Sequence, residues 1–183
     1  HMGGSNLSSS KVFAAKFAFN GTQLWNTQSA AYGVSHLGDG ICATDGGEVC
    51  ITGEFFDSLT LLPITLEAGT PEATVYVIKL NSDGMPVWAK GAGAGGYAIG
   101  SAVDMDADGN AYVTGFYRGT IAMGSITLPG PSDMSYDVFV TKIGPGGGAV
   151  AYTTYLGGSN WDAANGVAID AAGNAYVTGF TNS

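Results

Sequence analysis

Positive charge is what this sequence has least of. Six Lys and Arg stand against fifteen Asp and Glu, for a formal net charge of −9. Phosphate contacts are made by Lys and Arg, so this balance argues against a nucleic-acid partner and disfavours anionic membranes. No apolar run approaches the roughly 18 residues of a membrane span. Periodicity of the helical kind is missing everywhere. Histidine is nearly missing too. His1 belongs to His1-Met2-Gly3-Gly4-Ser5, which reads as a tag or cloning scar, so residues 1–10 are set aside as tag and linker. Any native signal peptide would have been lost with them. His36 then stands alone, with no Gly-x-Ser-x-Gly elbow to make it part of a nucleophilic triad. It reads as an ordinary polar loop residue, with ligand contact as the sharper alternative.

What the chain has in quantity is glycine, 30 residues, in a composition that is 45% hydrophobic and only 11% charged. That profile suits short strands joined by tight turns and is too apolar for a disordered tail. Gly109-Asn110-Ala111-Tyr112-Val113-Thr114-Gly115-Phe116 returns letter for letter as Gly173 to Phe180, and in worn form as Gly47 to Gly53. Each copy is a turn followed by a short β-run. A second phrase keeps time with it: Val12 to Lys16, Val75 to Lys79, Val138 to Lys142, with the lysines 63 residues apart. Trp25 and Trp88 keep the same interval, and Ala151 falls where a third Trp would stand.

The second copy is complete and shows four strands: Tyr97 to Asp106, Asn110 to Phe116, Asp137 to Ile143 and Ala149 to Leu156. The fold class is therefore all-β. Four-stranded units repeating about every 63 residues point to a β-propeller, since solenoid repeats are usually much shorter. The boundaries read as a half-blade 11–30, a blade 31–93, a blade 94–157 and a half-blade 158–183. Within each unit the second and third strands are joined by a long segment, Glu54 to Thr74 and Tyr117 to Tyr136, which makes that face the elaborated one.

Tyr155-Leu156-Gly157-Gly158-Ser159, then Asn165 to Asp170, then Gly173 to Gly179 resemble the SBBP repeats of bacteria, and Asp137 to Ile143 fits the same pattern. The first copy departs most, with Cys42 and Cys50 in place of the usual residues. The resemblance implies a propeller fold and a secreted or cell-surface setting, and it carries no catalytic residues. The phase adds an expectation of its own. Strands of the third and fourth kind open the chain, and strands of the first and second kind close it, which makes three blades' worth. Propellers need about four to eight blades, so two copies joined end to end as a homodimer would close a six-bladed ring. The other reading of the same phase is a fragment of a longer array.

Several constellations carry candidate chemistry. Asp104, Asp106 and Asp108 have the alternation of a calcium loop, which makes calcium the one cofactor to consider, but Gly115 stands where the twelfth-position Glu belongs. The same residues suit a tight hairpin turn. Gly91 to Gly96 matches the dinucleotide Gly-x-Gly-x-x-Gly, whose mechanism needs a helix where this register puts a strand. Cys42 and Cys50 fall opposite each other across a hairpin, so a disulfide and a pair of packed thiols are both open. Seven intervening residues with no His or further Cys argue against zinc. Tyr97 and Trp161 occupy matching positions, and with His36 and Asp162 they form the candidate ligand-binding set, for a glycan or a protein. Their other reading is packing between repeats. The carboxylates near the long-segment face are Glu54, Asp57, Glu67, Glu72, Asp133, Asp137 and Asp162, with no repeated spacing. A binding or scaffold module is therefore preferred to a carbohydrate-active hydrolase or lyase.

Overall fold

The computed structural model describes residues 11–30, 36–92, 95–131 and 134–182. Sixteen antiparallel strands account for the regular structure among them, with no helix. Two sheets have four strands each. The first joins β3 (Leu37–Ala43), β4 (Val49–Phe55), β7 (Thr74–Leu80) and β8 (Pro86–Gly91) in that order. The second joins β9 (Gly96–Met105), β10 (Ala111–Gly119), β13 (Asp137–Ile143) and β14 (Val150–Leu156). Before them stands the hairpin β1 (Phe13–Phe17) with β2 (Gln23–Gln28). After them stands β15 (Asp162–Ile169) with β16 (Ala175–Thr181). By position in the repeat, β1–β2 is the outer half of a unit and β15–β16 the inner half.

One turn chemistry builds all these hairpins. The amide of a glycine donates to the carbonyl three residues earlier, as Gly21 does to Ala18, Gly47 to Thr44, Gly84 to Asn81, Gly109 to Asp106, Gly147 to Gly144 and Gly173 to Asp170. Each glycine has φ between 73° and 83°. That conformation costs an L side chain roughly 1–2 kcal/mol and costs glycine nothing, which is why the glycines recur at fixed offsets.

The long segments are not free loops. Each folds into a further hairpin: β5 (Ser58–Leu61) with β6 (Ile64–Glu67), and β11 (Ile121–Met123) with β12 (Ile126–Leu128). Leu59 and Leu61 extend the core of the first sheet, and Ile121, Met123 and Leu128 that of the second. The expectation of an elaborated loop face is corrected accordingly: these residues lie back against the outer strands β8 and β14 because their alternate leucines, isoleucines and methionine need burial.

Neighbouring sheets are tied by indoles. Trp25 Nε1 donates to the Ser82 carbonyl at 2.9 Å, and Trp88 Nε1 to the Pro145 carbonyl at 2.8 Å. Both cross from an outer strand to the outer turn of the next sheet. Ala151, on β14, has no indole to offer.

Cys42 and Cys50 are register partners in the β3–β4 hairpin, and both are free thiols. The Thr44 amide donates to the Glu48 carbonyl two positions away, so by alternation Cys42 and Cys50 form a hydrogen-bonded pair, with Cα atoms about 5.5 Å apart. Cys50 is fully buried among Val75, Val77 and Trp88. Its thiol is pushed well up, first by the hydrogen bond with Cys42 and then by burial. Since the thiolate is the nucleophile, iodoacetamide should label Cys50 about 100-fold or more slowly in the reduced native protein than after denaturation. Equal rates in the two states would place Cys50 outside the core.

Candidate binding surface and inner-strand bulges

The first strand of each unit carries a bulge. Gly38 pairs with Gly53 and Gly40 with Thr52, which leaves Asp39 unpaired, and the same shift occurs at Ser101 and Asn165. The bulge dictates the glycine opposite. A Cβ on Gly53, Gly115 or Gly179 would lie about 2 Å from the carbonyl oxygen of Leu37, Ile99 or Ala163. The threonine before that glycine reaches the third strand: Thr52 Oγ1 donates to the Tyr76 carbonyl and Thr114 Oγ1 to the Phe139 carbonyl, each at 2.7 Å. The repeated Thr-Gly is thus a structural pair, not a ligand site.

Aligned on this bulge, His36, Ala98 and Asp162 share one position and all three are buried. His36 does lie in the segment before β3, but inside the protein rather than at its surface. Asp162 holds a loop, its two carboxylate oxygens accepting from the Gly158 amide at 2.9 Å and the Asn182 amide at 3.2 Å.

Tyr97 and Trp161 precede this position and are brought into one aromatic cluster. The Tyr97 ring meets Tyr136 edge-on at 5.7 Å, Tyr136 meets Trp161 at 5.7 Å, and Trp161 meets Phe180 at 5.5 Å. Phe116 lies against Tyr97, Tyr136 and Trp161. Arg118, the cross-strand partner of Tyr97, places its guanidinium 5.3 Å from the Tyr136 centroid and 5.9 Å from that of Tyr97. The cluster therefore packs β15–β16 on the second sheet while leaving Trp161 48% exposed. Packing between repeats thus accounts for the pair, and Trp161 remains partly exposed beside it. Phe116, Tyr136 and Phe180 were missed in the sequence, although the repeated Phe that ends Gly-Asn-Ala-Tyr-Val-Thr-Gly-Phe signalled two of them.

The three calcium candidates are not brought to a common point. Asp106 Oδ1 and Oδ2 accept from Asp108 N, Asn110 N, Asn110 Nδ2 and the Tyr112 hydroxyl, with Lys142 Nζ 3.4 Å away. Burial raises its pKa, but these donors outweigh it and hold the carboxyl below the usual range. Asp104 Oδ2 turns to the Ile169 amide of the next hairpin at 2.9 Å, and Asp108 is exposed. Among the described residues no three His, Cys, Asp or Glu side chains converge as a metal site would require.

The Gly91–Gly96 run joins β8 to β9, with a strand where a dinucleotide site needs a helix; residues 93 and 94 lie outside the described residues, as does Asp133. A pair the sequence did not single out is Asp39 with Glu54. Glu54 is buried with Oε2 lacking a hydrogen-bond partner among the described residues, and burial, then Asp39, push its carboxyl up.

With strand order, turn chemistry and inner-strand bulges in place, comparison with known families becomes decisive for one stretch. Residues 151–183 match the SBBP family, a beta-propeller repeat. The matched SBBP repeat runs from β14 through β16, across the bulge at Asn165 and the capped turn at Asp170. No curated protein matches the chain. Among the described residues, no helix is long and apolar enough to cross a membrane.

Proposed function

We propose that this chain is a secreted or cell-surface propeller module of bacteria that binds a glycan or protein ligand through the aromatic cluster, and that two copies close a six-bladed ring. The SBBP repeat supports the propeller. The observation that carries the binding reading is the half-exposed Trp161, met edge-on by Phe116 and Phe180 and at a tilt by Tyr136, whose own ring holds the Arg118 guanidinium 5.3 Å from its centroid. A ring fixed on several sides keeps its free face available without losing rotamer entropy, and a sugar ring or an apolar side chain stacks on such a face.

A glycan array, run beside a generic glycosidase and lyase assay, tests this reading. The Trp161→Ala variant should lower the melting temperature, because it removes three ring contacts, and while still folded should lose at least about tenfold in affinity for any glycan retained by the native protein. Turnover of a glycan in the parallel assay would overturn the reading in favour of an enzyme. Undiminished binding by the variant would move the site away from the aromatic cluster.

A further inference from the structure

The outer half-unit β1–β2 and the inner half-unit β15–β16 expose the residues that their counterparts bury. Phe13 is 52% exposed, whereas Tyr76 and Phe139, at the same position in the two complete sheets, are fully buried. Tyr176 is 61% exposed, whereas Tyr112 is fully buried. A groove of about 450 Å³ runs beside β1, walled by Phe13, Phe17, Leu37 and Ile41.

Charge is divided between the two surfaces in the same way. In the second sheet Lys142 pairs with Asp106 at 3.4 Å and sits 4.7 Å from the Tyr112 centroid. In the first sheet Lys79 pairs with Glu48 at 3.0 Å. Each third strand thus brings a lysine to an acid of its own inner turn. On β16 the acid and the tyrosine are present, with the Tyr176 hydroxyl donating to Asp170 Oδ2 at 3.0 Å, and Asn174 capping the turn as Asn110 does. On β1 the lysine is present as Lys16. Among the described residues it forms no ion pair.

We infer that Lys16 of one copy completes the Asp170–Tyr176 site of a second copy, so that the partner's β16 adds to the free edge of β1. This rests on the ring closure proposed above. The pairing of Tyr112 with Lys142 and of Cys50 with Lys79 fixes the register, which sets Tyr176 opposite Lys16 and Gly179 opposite Phe13. In that register the Thr178 hydroxyl donates to the Phe13 carbonyl, as Thr52 and Thr114 do to their own third strands. The Phe13 and Tyr176 side chains become core.

Charge reversal separates the site from the ring. Native mass spectrometry of the full chain should show twice the 18.5 kDa chain mass. Lys16→Asp alone sets one carboxylate against another at both joints, and Asp170→Lys alone sets one ammonium against another. Each should raise the dissociation constant about 100-fold or more. Mixing the two variants matches the charges at both joints of a heterodimer, so a 1:1 dimer should return. Thr178→Val, which leaves the turn intact, should weaken the native dimer about five- to tenfold. A native chain that stays monomeric overturns the ring and the joint together. A native dimer that tolerates both reversals, or a mixture that fails to recover, overturns the joint and leaves the ring standing.

Discussion

Replacing Gly115 by alanine should destabilise the protein by about 3 kcal/mol or more, at the upper end of what overpacking costs. The new methyl would be built 1.9 Å from the Ile99 carbonyl oxygen and 3.0 Å from the Ser101 amide nitrogen. Both are backbone atoms of the β9 bulge, so no rotamer change relieves the contact. Either the bulge or the β9–β10 pairing must move. Movement there reaches the neighbouring Thr114, whose hydroxyl ties β10 to β13. Gly21 provides the comparison. Nothing lies within 4 Å of a Cβ placed there, and only its φ of 83° opposes a side chain, so Gly21→Ala should cost about 1 kcal/mol. Urea denaturation of both variants reads the difference. A Gly115→Ala midpoint no lower than that of Gly21→Ala would mean that the bulge yields and the Thr-Gly pair has some other cause.

The same glycine shows why parts of the fold were legible in the sequence and parts were not. Turn glycines announce themselves because the positive-φ requirement is local and recurs at each hairpin, so Gly109 and Gly173 stand at one offset from their strands. The glycine of Thr-Gly-Phe recurs as faithfully, but its cause lies on another strand. Asp39, Ser101 and Asn165 occupy the bulge with three different side chains, because the shift is made by backbone and asks nothing of the residue there. Hairpins such as Ile121–Met123 with Ile126–Leu128 escaped notice for a different reason. Strands of three or four residues are too short for alternation to stand out, and the phrase the two units share there, Ile-Thr-Leu at 64–66 and 126–128, is only three residues long. At the candidate site, Tyr97 and Trp161 were legible as a matched pair. That His36 and Asp162 share one buried position was not, because the residue between them in the repeat is Ala98.

Truncating Trp88 to alanine should cost about 3–5 kcal/mol. Its indole is almost wholly buried, donates to the Pro145 carbonyl, and covers Gly147, whose hypothetical Cβ would meet the ring at 2.5 Å. Removing it opens a cavity between the two four-stranded sheets and takes away the donor that the Pro145 carbonyl accepts from. Trp88→Phe keeps much of the apolar area and loses the donor, so it should cost about 1 kcal/mol for the hydrogen bond in addition to a smaller packing loss. Gly147→Ala offers a sharper test. In the native background it meets both the ring, at 2.5 Å, and a φ of 73°; in the Trp88→Ala background the ring contact is gone, and the φ strain and the 2.9 Å approach to the Cβ of residue 88 remain. The two substitutions should therefore couple by about 1–3 kcal/mol in a double-mutant cycle. Additive costs would show that the ring does not rest on the turn, and that the sheets are held together by the inner-strand contacts alone.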